Sequence, residues 1–480
     1  MGDKLAHIRV DNCFGQLLTG NENLLLQLWR ALRFRERGYF HSRLYKQKLW
    51  DGYIDFFKKD SGKFLTGLLP EIEMALNLWK VEYTIEDNRD PLKFRFESVD
   101  EHFFDQWTPK GQKKVTLYDY QVELINHAIQ NKRGVIQAPT SAGKTNIMIG
   151  ILKCLPENTP TLILANKKSL VEQNYDEMMK WGFKNVGRLY DKYKEPNMFT
   201  CATVQSLHKI EKLLPSIRCV IVDEIHDMMS KVPRKFYGKM KSCSVRIAVS
   251  ATPFKFGGTH KTQKYAVKGY FGPIVKAKSA GDTGVLTTKK LQDRNILSAS
   301  QCIFYPINTP QLPYDIYIDA VTHGIAENFE FHQLVTRLVK GLKGRTLILV
   351  ERLAHGDTLA NMIPGSLWVQ GKDNLQTRKY IIGELQKSKK NLIAIATHGI
   401  FNAGINVYCH NLLNAAGGQA DHQIIQRMGR GLRTADDKEI LHYYDFIFKI
   451  NDYLLEHSKK RVKILTQEGH EVIVKDEIDF

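Results

Sequence analysis

The segment that opens at Gly134 constrains the fold more than any other. A β-branched run, Gly134-Val135-Ile136, leads through Ala138-Pro139-Thr140-Ser141-Ala142-Gly143-Lys144-Thr145 into a stretch of helical period. Seven of the eight loop positions satisfy G-x-x-x-x-G-K-[ST]; Ala138 replaces the first glycine. A strand, a small-residue loop and a helix in that order call for a parallel sheet covered by helices. In such a loop, backbone N–H groups at a helix N-terminus cradle phosphates, so Pro139 to Thr145 are expected to hold a nucleotide. Lys144 would reach the β- and γ-phosphates, and the Thr145 hydroxyl would coordinate Mg2+.

The rest of the chain obeys the same alternation. Thr161 to Leu164, Val220 to Val222 and Val245 to Val249 read as buried strands, and Val122 to Ile129 as an amphipathic helix. A second set begins near Thr346, with Thr346 to Val350, Leu392 to Ile395 and Leu412 to Asn414. Glycines 257, 258, 269 and 272 punctuate a connector between the two sets. Two α/β lobes in tandem are therefore expected, over residues 109–290 and 291–455, ahead of a tail from 456 to 480. The tail starts basic and ends acidic, and fits either a DNA-contacting helix or a solvated end.

Residues 1–108 look different and are expected to form a small α+β domain. Between Arg30 and Lys63 stand ten Lys or Arg against four acids, interleaved with Phe34, Tyr39, Phe40, Tyr45, Trp50, Tyr53, Phe56 and Phe57. Most of the aromatics are expected to be core, while the basic surplus is expected to meet phosphates. Arg35, Arg43, Lys48 and Trp50 are the candidate DNA contacts. Deleting this domain is expected to weaken DNA processing and to spare basal nucleotide hydrolysis.

Composition narrows the class. Lys plus Arg number 69 against 51 acids, a formal charge of +18 that suits a polyanion partner, nucleic acid first. No apolar run approaches the ~18 residues of a membrane span. The seven cysteines are scattered with no C-x-x-C pair, which points to a reducing cytosol and away from a disulfide framework or a zinc ribbon.

Asp223-Glu224-Ile225-His226 closes the run Val220 to Val222. A carboxylate at a strand's C-terminal end is where a phosphate-loop fold needs a second Mg2+ contact, the role expected of Asp223. Glu224 would polarise the attacking water; seen alone, the pair also fits a solvated helix cap. In Gln426-Arg427-Met428-Gly429-Arg430-Gly431-Leu432-Arg433, Arg430 and Arg433 would share a helical face. They would act as arginine fingers or, on the plainer reading, as a basic face.

The order of these elements resembles the superfamily 2 helicases over about residues 115–450. Leu117 to Gln121 is similar to the adenine-reading Q motif, with Tyr118 and Gln121 as nucleotide contacts. The D-E-I-H tetrad is similar to a DExH-type motif II, and Ser250-Ala251-Thr252 to motif III. Thr397-His398-Gly399 leading to Ala403-Gly404-Ile405-Asn406 resembles motif V, and residues 426–433 resemble motif VI. The resemblance implies two RecA-like lobes that hydrolyse ATP and open and close along a strand. It implies nucleotide contacts at Gly404 and Asn406, catalytic roles for Gln426, Arg430 and Arg433, and coupling by His226, Ser250 and Thr252. It also implies strand contacts at Lys167, Thr203, Gln205, Arg352, His355 and Thr397. Gly38-Tyr39-Phe40, Leu49-Trp50-Asp51-Gly52-Tyr53 and Thr66-Gly67-Leu68-Leu69-Pro70 resemble the front end of bacteriophage UvsW-type helicases. That family implies branched DNA as partner (junctions, forks, R-loops) in recombination, repair and replication, in the cytosol of a phage-infected bacterium. An RNA helicase with the same motor, or an ATP-driven switch or annealing protein, fits the same motifs. A monomer is expected.

Overall fold

The computed structural model describes residues 5–108, 114–254, 261–278, 284–308, 311–314, 316–370, 391–397, 408–417 and 440–476. It also describes residues 373, 377, 380–381, 383–385, 428 and 432. The chain folds into two compact units, Met1–Ala138 with Gly143–Val285, and Leu286–Phe480 with Pro139–Ala142.

The first unit begins with strands β1 (Leu5–Val10) and β2 (Phe14–Leu18). After the helix Glu22–Ala31 come β3 (Arg33–Arg35), β4 (Tyr53–Asp55), β5 (Phe57–Lys58) and β6 (Lys63–Leu65), then helix Leu69–Leu78 and β7 (Glu82–Asp87). Five of these strands form a sheet in the order β5-β6-β2-β1-β7, while β3 and β4 pair as a separate antiparallel ribbon. Alternation explains β1: Ala6, Ile8 and Val10 are buried while Leu5 and Arg9 face outward. The Asn21 side chain accepts the Leu24 amide at 3.1 Å and so starts the following helix, which buries Leu24 and Leu28.

The same unit continues into β8 (Arg133–Gln137), β9 (Thr161–Ala165), β10 (Val186–Tyr190), β11 (Tyr193–Glu195), β12 (Phe199–Thr203), β13 (Cys219–Asp223), β14 (Val245–Ser250) and β15 (Ile274–Lys276). Among the described residues these make an eight-stranded sheet in the order β11-β10-β12-β9-β13-β14-β8-β15. All of its pairings are parallel except β10 with β11. The central strands β9, β13 and β14 are near-continuous apolar runs buried residue after residue, so both of their faces are covered. Register sets Asp223 opposite Val249, and Ser250 opposite Gln137, so three strand ends meet at one edge.

The amino-terminal strands do not stand apart from this sheet. Ile8, Leu28, Phe57, Leu68 and Ile72 share one core with Leu214, Val222, Met240 and Phe271. Arg246 is completely buried and donates to the carbonyls of Cys243, Tyr237 and Met240 at 3.0, 3.0 and 2.7 Å. Its guanidinium also lies 3.1 Å from Cys13 Sγ, while Asn12 donates to the Lys241 carbonyl at 3.0 Å. Arg218 pairs with Asp90, and Lys268 with Glu71. Gly67 is required here: a Cβ would come within 2.1 Å of the Lys268 carbonyl oxygen.

The second unit carries β16 (Ala299–Ile307), β17 (Thr346–Val350), β18 (Leu367–Val369), β19 (Ile393–Thr397), β20 (Asn411–Asn414), β21 (Ile440–Phe448) and β22 (Glu471–Val474). They form a parallel sheet in the order β18-β19-β17-β20-β21-β16-β22. The segment expected as a solvated or DNA-contacting tail is instead part of this body. Helix Asp452–Gln467 packs through Arg461, whose guanidinium makes a bidentate pair with Asp445 at 2.9 and 3.0 Å, both side chains fully buried. Asp445 also accepts from Asn414 and Tyr443, so the pair has its remaining oxygen sites filled. Beyond the helix, β22 adds to the edge of the sheet along β16.

Candidate functional site

The phosphate loop leaves β8 at Gln137 and enters the helix Lys144–Cys154. Its first residue is tied to a neighbouring strand by the Ala138 amide, which donates to the Ser250 carbonyl at 3.3 Å. The backbone is left-handed at Ser141 (φ 65°) and at Gly143 (φ 76°). Left-handed turns of this kind gather successive N–H groups into an anion-binding concavity. Gly143 is doubly constrained, since a Cβ there would lie 2.2 Å from Gln121 Nε2. Gln121 is buried and its Oε1 accepts the Tyr118 amide at 3.0 Å. The sequence therefore places Gln121 at the start of helix Asp119–Asn131 and against the loop at once, while the Tyr118 ring is 42% exposed beside it.

Asp223 is the last residue of β13 and Glu224 the first beyond it. Glu224 has φ 56° and ψ 60°, a left-handed conformation costly for a side chain of its size, and its amide donates to the Val249 carbonyl at 2.9 Å. Its carboxylate stands at the centre of a network. Oε1 lies 3.9 Å from Lys144 Nζ, and Oε2 accepts the Ser250 hydroxyl at 2.7 Å. His226, almost fully buried, places Nδ1 at 3.4 Å from Glu224 Oε2 and 3.3 Å from Ser250 Oγ. Burial would raise the Glu224 carboxyl, but the Lys144 ammonium, His226 and the Ser250 hydrogen bond outweigh it and hold it at about 2. The Thr252 amide donates to Ser250 Oγ at 3.1 Å, so the Ser250-Ala251-Thr252 turn closes on the same oxygen. On its other side, His226 Nε2 is 3.5 Å from Asp227 Oδ2, which accepts Asn166 Nδ2 at 2.6 Å. Asn166 and Asp227 extend the network one step further than motif spacing alone disclosed.

The residues fit a magnesium nucleotide. Among the described residues, the buried Thr140 hydroxyl in the loop has no hydrogen-bond partner, and neither has the Thr252 hydroxyl. An orphaned buried hydroxyl is costly unless a ligand satisfies it. With a left-handed loop, a helix N-terminus, Lys144 and the Asp223–Glu224 pair, this is the donor set a triphosphate and its metal ion require.

Other expected contacts fare unevenly. His355 is fully buried, stacked on His332 with ring centroids 4.7 Å apart, and so lies in the core of the second unit. Thr203 is also buried and hydrogen-bonds Ser206 at 2.9 Å, leaving the neighbouring Gln205 exposed. The Trp50 indole N–H donates to the Tyr53 carbonyl at 2.7 Å, which makes Trp50 a staple of the ribbon. Arg35, Arg43 and Lys48 are exposed; Lys167 and Arg352 are half-buried at the starts of helices Lys168–Lys180 and Leu353–Met362. Thr397 ends β19. Gly404, Asn406, Gln426, Arg430 and Arg433 lie outside the described residues.

Two sheets of largely parallel strands, with the Ala138–Thr145 loop and the D-E-I-H tetrad at one edge of the first, have the α/β arrangement of RecA-like lobes. The family model described as type III restriction enzyme, res subunit, matches residues 114–255. The ATP-dependent DNA helicase uvsW of Enterobacteria phage T4 is 24% identical over 515 residues, spanning 98% of this chain and 97% of the relative. The DNA 3'-5' translocase XPB2 of Sulfurisphaera tokodaii is 23% identical over 74% of this chain and 88% of its own. Among solved structures, a fragment assigned as an HsdR subunit of a type I restriction enzyme from Vibrio vulnificus shares the fold. It has a TM-score of 0.54 and 16% identity over 75% of this chain and 68% of that one. The chain resembles the UvsW-type helicases.

Proposed function

We propose that this protein is an ATP-dependent DNA helicase or translocase that remodels branched DNA, migrating Holliday junctions, reversing forks and dissociating R-loops in recombination, repair and replication. The observation that carries the reading is extent. Similarity to the phage helicase runs through 98% of the chain, including the amino-terminal 108 residues, whereas similarity to the archaeal translocase spans 74%. The net charge of +18 suits the polyanion. The site of action would be the cytosol of a phage-infected bacterium; among the described residues no helix is long and apolar enough to cross a membrane.

In this reading ATP is the substrate held by Pro139 to Thr145. The Thr145 hydroxyl and the Asp223 carboxylate would hold Mg2+, which would supply neutralisation of phosphate charge when bound. Glu224 orients the attacking water. Its ionised state is secured by Lys144, Ser250 and His226, so it is ready to accept a hydrogen bond from that water at any pH near neutrality. Incoming phosphates compete with Glu224 for the Lys144 ammonium. The resulting change at Glu224 passes to Ser250 and His226, which is how the nucleotide state reaches the strand grip. The motif resemblance assigns further catalytic roles to Gln426, Arg430 and Arg433.

The deciding experiment is the ATPase rate at one fixed salt with single strand, duplex, four-way junction, fork and RNA. Strongest stimulation by junction and fork supports the reading. Equal or greater stimulation by RNA moves the assignment to an RNA helicase.

A further inference from the structure

The ribbon of β3 and β4 carries an elaborate end. Arg35 pairs with Tyr53, and the chain between them folds into a short 3-10 turn at Tyr39–His41 and a single helical turn at Arg43–Lys46. Large apolar side chains are exposed there: Phe40 at 54%, Leu44 at 53% and Leu49 at 73%. The Leu49 amide donates to the Leu44 carbonyl at 2.9 Å, so the backbone brings the two leucines together in one turn. The Tyr39 ring meets Phe40 and Tyr45 edge-on at 5.6 and 4.7 Å. From Arg37 to Trp50 there are four Lys or Arg and no acid. Arg43, Lys46 and Lys48 are exposed among the apolar residues.

The base of this end is stiff. The Arg33 guanidinium lies over the Trp29 and Tyr53 rings at 4.4 and 4.2 Å, and Arg35 over Tyr39 and Tyr53 at 4.9 Å each. Trp50 is held by its bond to Tyr53, and the Glu36 amide donates to the Gly52 carbonyl at 2.8 Å. Gly52 has φ 84° and a Cβ there would lie 2.7 Å from the Tyr39 ring. Arg33 also pairs with Asp51 and Asp55. The cations of the base are thus occupied in holding the shape, and those around the apolar residues face outward.

We infer that Phe40, Leu44 and Leu49, set among Arg43, Lys46 and Lys48, form a wedge that enters a DNA branch point and unstacks the base pairs there. Exposed Phe and Leu side chains between cations are the chemistry that intercalates at base steps while phosphates are gripped on either side. A protein partner would bring its own acidic complement to so basic a rim, but a branch point supplies both needs at once, phosphates and unstacked base faces. The inference rests on the DNA-motor reading above and names the residues that would make that motor act on branches.

The test uses the full chain and the triple variant Phe40→Ser/Leu44→Ser/Leu49→Ser, with Leu49→Ser as a milder second variant. All three side chains are exposed, so thermal midpoints should match the parent. A fork with 2-aminopurine beside the branch point reports unstacking before any ATP is added. The parent should raise its fluorescence on binding. The triple variant should lose that rise and unwind the fork about tenfold more slowly or worse. Its ATPase on single strand should stay within about twofold of the parent, because the motor keeps its strand contacts. In Arg43→Glu/Lys46→Glu/Lys48→Glu, fork affinity should fall and the slope of log affinity against log salt should shrink by about two to three. A triple apolar variant that unwinds the fork and lights the probe like the parent overturns the wedge alone. A parent with no DNA-stimulated ATPase overturns the motor reading instead.

Discussion

Glu224 is under opposing pressures that explain its conformation. Its carboxylate is largely withdrawn from water, in a left-handed backbone, yet held ionised by Lys144, His226 and Ser250. Lys144→Ala removes both the proposed phosphate contact and the largest of these attractions. ATP hydrolysis should fall by about two orders of magnitude or more in single-turnover phosphate release. Full turnover would remove Lys144 from the site. The pH dependence has a definite sign. The carboxyl is held at about 2 in the folded chain against an ordinary 4.5, so its network stabilises the fold above about pH 4.5. That contribution drains away as pH falls toward 2. Glu224→Gln should flatten the loss in an acid-unfolding titration; an unchanged curve would mean that the carboxylate is not held by its neighbours.

At the scale of elements, the helix Asp452–Gln467 is joined to β21 by a buried ion pair rather than by apolar contact alone. Breaking one side of such a pair strands the other charge. Arg461→Ala should therefore cost about 3–5 kcal/mol in chemical denaturation of the second unit. A cost below about 1 kcal/mol would mean that the pair is solvated. The helix Leu353–Met362 carries His355 into the core, where burial and then the neighbouring His332 push its pKa down to about 3. The sign again follows from the shift. Unfolded histidine takes up a proton below about 6.5, and the folded one refuses it until about 3, so stability declines as pH drops through that window. His355→Phe should make the thermal midpoint less dependent on pH between 7 and 5, in scanning calorimetry at fixed salt.

For the molecule as a whole, residues 1–108 share the first unit's core and are not a detachable body. Deleting them would uncover Met240, Phe271 and the buried Arg246, whose partner Cys13 would be lost. The truncated chain is expected to aggregate or to melt well below the parent. It should lose basal ATPase with its fold, against the expectation that hydrolysis would be spared. A soluble, fully active truncation in light scattering and ATPase assays would show that the shared core is dispensable.

The parallel α/β class, the phosphate loop, the D-E-I-H tetrad and motif III were legible in the chain. Each is a local pattern: apolar period, loop length, and residue type at a strand's end. The helix over Asp452–Gln467 could be seen only as a basic run, because what buries Arg461 is Asp445, 16 residues earlier on another element. His355 and Thr203 read as strand contacts by motif position, and the structure buries both side chains, against His332 and Ser206. The union of the first 108 residues with the sheet rests on pairs such as Cys13 with Arg246, 233 residues apart. Periodicity reports which face of an element is apolar; which partner covers that face, and which charge stays in water, was settled by long-range packing.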